Sequence, residues 1–192
     1  TYLLKDINPN GASSNPAWLV DVNGTLFFTA DDGVNGVSLW KSDGTTAGTV
    51  RVPDIDGVPG WSNTFPEQLT SANGLLFYSR ADIGSHGGTL WQSDGTAAGS
   101  HEVTALVDDT EVPVIADEIV QGGSYVYSCL SSDSLVKLYR TDGTSEGTSV
   151  LFTQTAVGWS TGIHELTYGG NTGGGFLYFA QRNSDAKWQL AS

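Results

Sequence analysis

The 192-residue chain carries 21 acidic against 8 basic residues, a net charge of −13, with 25 Gly, no Met and one Cys. Such an excess of carboxylates excludes a nucleic-acid partner, which needs clustered Lys and Arg, and disfavours an anionic membrane surface. A single cysteine, Cys129, excludes an internal disulfide, and no stretch approaches the roughly 18 apolar residues of a membrane span. The length suffices for one well-buried domain or two small ones. Glycine-rich, aromatic and poor in helix-forming runs, the composition predicts an all-β chain with many tight turns.

Taken in order, the chain opens with Thr1-Tyr2-Leu3-Leu4-Lys5-Asp6-Ile7, a segment like Thr49-Val50-Arg51-Val52-Pro53-Asp54-Ile55 further on. Beginning at Thr1 with neither Met nor a signal peptide, it reads as a mature or excised form. Four short strands follow, at about Trp18–Val22, Thr25–Ala30, Val37–Lys41 and Thr49–Asp54. An Asn23-Gly24 turn joins the first two, since both central residues of such a turn need positive φ. Asp43-Gly44-Thr45 joins the last two.

The same unit then recurs. Leu39-Trp40-Lys41-Ser42-Asp43-Gly44-Thr45 returns as Leu90-Trp91-Gln92-Ser93-Asp94-Gly95-Thr96, and as Leu138-Tyr139-Arg140-Thr141-Asp142-Gly143-Thr144. The anchors Trp40, Trp91 and Tyr139 lie 51 and 48 residues apart, and another 49 reaches Trp188, read as the fourth anchor. Apolar first strands are expected near Leu69–Ala72, Ile119–Gln121 and Leu166–Tyr168. Four antiparallel strands per repeat of about 50 residues is the arithmetic of a propeller blade.

The expected fold is therefore an all-β, four-bladed β-propeller with four antiparallel strands per blade. Its ring is closed by the N-terminal strand completing the C-terminal blade, which removes two sheet edges. One domain spans 1–192, with repeats at about 8–55, 56–107, 108–155, and 156–192 joined by 1–7. An open array cut from a longer solenoid is the alternative.

Asp43, Asp94 and Asp142 are expected to hold their turns rather than a ligand, because Asp accepts from backbone N–H groups two or three residues on. Trp40, Trp91, Tyr139 and Trp188 recur once per blade and suit packing between blades. Two tryptophans break the symmetry. Trp61 and Trp159 stand in Gly-Trp-Ser segments leading into first strands. They either wedge between blades or offer a platform for sugar rings or peptides. Just before the first-strand apolar residue the repeats carry Ala17, Glu67, Asp117 and His164, with Glu118 and Glu165 beside them. Glu67, Asp117 and His164 form either a solvated acidic rim or a site for a cation such as calcium, whose ligands are oxygens. No His-Glu-x-x-His, Gly-x-Ser-x-Gly, phosphate loop or zinc spacing is present, so no catalytic residue is assigned.

Leu-Trp-x-Ser-Asp-Gly-Thr followed by Ala-Gly-Thr, behind Asn-Gly-Thr-Leu-Phe-Phe-Thr-Ala-Asp-Asp-Gly, resembles the ELWxxDGT repeat of bacterial surface and secreted proteins. The resemblance spans essentially the whole chain and is closest in the first two repeats. Ser38 and Thr89 stand where that family usually has Glu, and Trp188-Gln189-Leu190 lacks the Asp-Gly-Thr. What it implies is an exported, repeat-built protein at the bacterial surface or secreted, with no enzymatic activity attached. The expected function is a non-catalytic extracellular binding module, carbohydrate-binding (lectin-like) or adhesive. Its partner would be a carbohydrate or a surface protein. The alternatives are a structural or assembly module that self-associates within a surface array and, more remotely, a polysaccharide-acting enzyme.

Overall fold

Because strand residues project to opposite faces in turn, a run such as Leu26-Phe27-Phe28 can be satisfied only when both faces are covered. The computed structural model describes residues 2–53, 64–72, 74–82, 88–104, 112–114, 125–130, 135–155, 164–171, 174–182 and 188–191. Every regular element among them is a strand. The first sheet takes β1 (Ala17–Val22), β2 (Thr25–Asp31), β3 (Val37–Ser42) and β4 (Val50–Arg51) in that order. The second takes β5 (Thr64–Ala72), β6 (Leu75–Asp82), β7 (Gly88–Ser93) and β8 (His101–Thr104). The third takes β9 (Val112–Val114), β10 (Tyr125–Leu130), β11 (Leu135–Thr141) and β12 (Ser149–Thr155). In the fourth, β13 (His164–Asn171), β14 (Gly174–Arg182) and β15 (Trp188–Ala191) make three strands. All neighbours pair antiparallel.

The first sheet stacks on the second, and the second on the third, through their faces. Val22, Phe27, Leu39 and Val52 of the first sheet share one core with Leu69, Leu76, Tyr78 and Trp91 of the second. The opposite face of the second sheet presents Ala72, Phe77, Leu90 and Val103 to Tyr139 of the third. Phe27 and Phe28, neighbours in sequence, thus serve different cores, Phe28 joining Ala30, Trp40 and Ile7. Two polar bolts reinforce the first junction: Asn23 Nδ2 donates to the Gly74 carbonyl at 3.1 Å and Lys41 Nζ to the Gly95 carbonyl at 2.6 Å. Tyr78 stacks on Trp91 at 6.4 Å, and the Arg80 guanidinium lies 4.9 Å from the Trp91 ring centre.

The anchors Trp40, Trp91 and Tyr139 are buried, at 6%, 7% and 7% exposure. Each stands opposite an aromatic: Phe28 with Trp40, Tyr78 with Trp91, Tyr127 with Tyr139. The corresponding pair in the fourth sheet is Phe179 with Ala191, while Trp188 stands opposite Arg182. Trp188 is therefore not the fourth anchor. Its register is that of Val37, three residues earlier on the strand.

Residues 2–7 do not add a strand to the fourth sheet. The Leu4 carbonyl accepts from Thr46 Oγ1 at 2.7 Å, and Lys5 Nζ donates to the Thr49 carbonyl at 2.6 Å. These bonds hold the segment against the first sheet, where Ile7 covers part of the Phe28–Trp40 face. In the third sheet β9 occupies Val112–Val114, and the expected strand at Ile119–Gln121 lies outside the described residues.

Leu90 is 1% exposed between the second and third sheets. Leu90→Ala should lower unfolding free energy by about 2–5 kcal/mol, read from urea denaturation followed by tryptophan fluorescence.

Candidate functional site

Antiparallel order gives each sheet two unlike ends. In the first, the Asn23-Gly24 turn and the Asp43 turn lie at one end, and the β2–β3 loop and the start of β1 lie at the other. The second sheet repeats this arrangement, and the bonds from Asn23 and Lys41 hold like ends together.

At the Asp-turn end the chemistry is the same three times. Asp43 Oδ1 accepts from the Thr45 N–H at 2.9 Å and the Thr45 hydroxyl at 2.7 Å. Asp94 does so with Thr96 at 2.8 and 2.7 Å, and Asp142 with Thr144 at 2.9 and 2.7 Å. The Thr hydroxyl oxygen in turn accepts from the N–H of Gly48, Gly99 or Gly147. A Cβ on any of those glycines would overlap the Asp carboxyl, so glycine is needed there for space. Behind each turn two hydroxyls pair across the strands: Ser42 with Thr49, Ser93 with Ser100, and Thr141 with Thr148. Ser42, Ser93 and Thr141 are buried and are satisfied by these pairs and by the Gly44, Gly95 and Gly143 N–H groups.

The hydroxyl and then the N–H of the Thr two residues on favour the ionised carboxylate, holding Asp43, Asp94 and Asp142 below the ordinary aspartate value of 3.8. For a carboxylate lowered in the folded state, the stability it contributes is full above the unfolded value. That stability is lost as pH falls through 3.8 toward the folded value. One oxygen of each of these carboxylates, Oδ1, is bound to its own turn.

The other end is less uniform. Ala17 stands opposite Thr29, Glu67 opposite Ser79 and His164 opposite Ala180, each followed by the same one-residue bulge before Val20, Thr70 and Thr167. Three of the four rim positions are thus equivalent in register. In the third sheet Val114 stands opposite Ser128, at the place expected for Asp117. Asp117 itself lies outside the described residues, as do Trp61 and Trp159, and of His164 only the backbone is described. Glu67 is exposed. Among the described residues no three His, Cys, Asp or Glu side chains gather where they could hold a metal ion.

The bulge itself carries no sequence signal. Trp18 and Gln68, the first bulged residues, adopt φ of +53° and +54°, a left-handed conformation uncommon outside glycine. A hydroxyl from the next strand clips each: Thr29 Oγ1 to the Ala17 carbonyl at 3.3 Å, and Ser79 Oγ to the Glu67 carbonyl at 3.1 Å. At the same end the Asp32 carboxylate binds the Asn35 and Val34 N–H groups and the Asn35 amide. Burial pushes Asp32 up, but those bonds and Arg51 outweigh it and hold it below its ordinary value.

No protein-family model matches the chain, and no curated protein matches it in sequence. Among solved structures it is similar to one from a study of two prolyl endopeptidases. That match has 12% identity and a TM-score of 0.52, covering 88% of this chain and 24% of that one. It is also similar to a chain of a nidogen/laminin complex, with 11% identity and a TM-score of 0.50, covering 90% of this chain and 59% of that one. These are β-propeller proteins. The likeness is one of fold, and the fold is of β-propeller type. This chain spans about a quarter of the first structure and about three fifths of the second. An α-L-arabinofuranosidase from Clostridium thermocellum matches less well, at 15% identity and a TM-score of 0.42, covering 93% of this chain and 72% of that one. At that level it bears on no chemistry here.

Thr96→Val removes the hydroxyl that donates to Asp94 while keeping side-chain volume. The Asp94 carboxyl should then titrate closer to 3.8 by carbon-13 NMR, and the variant should begin to unfold at a higher pH than the parent.

Proposed function

We propose that the chain is a non-catalytic, exported binding module that presents the end opposite its Asp turns to a carbohydrate or to another surface protein. The observation that carries this reading is the division between the two ends. The recurring polar residues at the Asp-turn end are consumed in their own turns, while the opposite end holds residues that differ from sheet to sheet. A scaffold that repeats at one end and varies at the other is how propellers and solenoids place recognition residues. Trp61 and Trp159 belong to the segments leading into strands at that variable end. Export follows from the resemblance to the ELWxxDGT repeat, and the absence of a catalytic motif in the sequence supports binding over turnover.

The ring, in this reading, has four blades. Support comes from the first sheet. Leu19 is 63% exposed, whereas Leu69, at the same place in the second sheet, is 8% exposed beneath the first. A Cβ on Gly44 would meet nothing, whereas one on Gly95 would meet Phe27 and Lys41 of the preceding sheet. The first sheet thus has the form of a blade awaiting its predecessor, and residues 2–7 already lie across that face. The three-stranded fourth sheet is the predecessor we assign. Leu19→Ala should then cost about 2–5 kcal/mol, as a buried leucine does. A loss under about 0.5 kcal/mol, the scale of a surface change, would mean that the ring stays open. A molar mass by light scattering that rises with concentration would place a second copy on that face instead, in keeping with an assembly role.

A glycan array probed with calcium and again with a chelator tests the binding reading. Binding is expected in at least one condition. Loss on chelation would assign a cation to the rim that includes Glu67, and persistence would remove it. Silence in both would transfer the weight to assembly, and release of reducing ends from any polysaccharide would replace binding by catalysis.

A further inference from the structure

The fold treats the three tryptophans whose side chains are described, Trp18, Trp40 and Trp91, unequally. Trp40 and Trp91 are 6% and 7% exposed, and their Nε1–H groups donate to the Ala30 carbonyl at 3.2 Å and to Thr89 Oγ1 at 2.8 Å. Trp18 is 48% exposed, and its indole N–H has no hydrogen-bond partner among the described residues. It also sits at φ +53° on a β-bulge, where a bulky residue is an outlier and where bulges re-aim side chains. Nothing in the packing of the first sheet calls for an indole there.

The second sheet shows what covering does to this position. Of its two bulged residues, Leu69 enters the core between sheets at 8% exposure, while Gln68 stays partly exposed although the first sheet lies against that strand. Trp18 holds the place of Gln68 and Leu19 that of Leu69. A neighbouring sheet laid on β1 therefore buries Leu19 and leaves the Trp18 ring within reach of solvent. On the adjacent inner strand Glu67 is exposed, supplying a carboxylate at the register of Ala17.

We propose that Trp18 is the stacking face of a binding site for a neutral pyranose ring, with the exposed Glu67 of the neighbouring inner strand as a hydrogen-bonding partner for ring hydroxyls. This rests on the carbohydrate-binding reading and names both the residue and the ligand class. An indole face suits the C–H face of a sugar, and a few placed polar groups fix its orientation. The net charge of −13 disfavours acidic sugars, which is why the ligand is neutral. The clipped, left-handed bulge fixes the backbone that carries the ring before the ligand arrives, which lowers the ordering cost of binding.

The test uses the full chain with cellohexaose, laminarihexaose and mannohexaose, and oligogalacturonate as the acidic control, followed by calorimetry. Trp18→Gly removes the indole and puts at φ +53° the one residue that adopts it freely, so the melting temperature should hold. The expected result is binding of a neutral oligosaccharide by the parent and a loss of roughly tenfold or more in Trp18→Gly. Trp18→Phe should keep most of the affinity and lose the ligand-induced change in tryptophan fluorescence that the parent shows. Should Trp18→Gly unfold, that fluorescence comparison decides alone, and a change persisting in Trp18→Phe overturns the assignment. Parent binding undiminished in a folded Trp18→Gly overturns the role of Trp18 and leaves the carbohydrate reading standing. Binding of oligogalacturonate alone overturns the neutral ligand, and silence on the whole panel overturns both readings.

Discussion

A sheet with two apolar faces cannot stand alone in water, and the first three sheets of this chain are built on that constraint. Phe27 and Phe28, or Phe77 and Tyr78, point to opposite faces and each enters a separate core. Stability is thus a property of junctions. Burying one such aromatic or aliphatic side chain contributes about 1.5–3 kcal/mol, but only while its neighbouring sheet is present. The bolts from Asn23 and Lys41 add little enthalpy by comparison. Their use is to fix register, so that the aromatic pairs of one sheet meet the aliphatic face of the next.

Much of this was legible in the sequence because the turns are chemically explicit. Asn23-Gly24 and the Asp-Gly-Thr segments mark hairpins by conformational need, and the strands between them fell within a residue or two of Ala17–Val22, Thr25–Asp31 and Val37–Ser42. The repeat's polar residues were also readable, since Asp, Thr and Gly at that spacing satisfy one another locally. Trp188 was misjudged for a physical reason. A tryptophan near the expected spacing outweighed strand register, and register places Ala191 opposite Phe179. The resting place of residues 2–7 depended on the Thr46 hydroxyl and the Thr49 carbonyl, contacts more than 40 residues away that no local pattern encodes.

The candidate site was legible only in part. Alternation located Ala17, Glu67 and His164 at equivalent positions, but the bulge behind them has no local pattern: Thr29 and Ser79, which clip two of the bulges, look like ordinary strand residues, and Ala180 stands at the third. Trp18 accordingly passed as the first residue of a strand. Its left-handed backbone is visible only once the register slips by one.

The Asp turn has a consequence for how the molecule folds. Its hydrogen bonds join residues no more than seven apart, whereas the cores between sheets join residues some fifty apart. Loop closure over a few residues takes far less time than the search for a partner sheet. Each β3–β4 type hairpin can therefore form early, and the slow step is the docking of sheets on one another, without which the hairpins do not persist. Turn residues and junction residues then both bear on the folding rate, the first through the supply of competent hairpins and the second through the docking step itself.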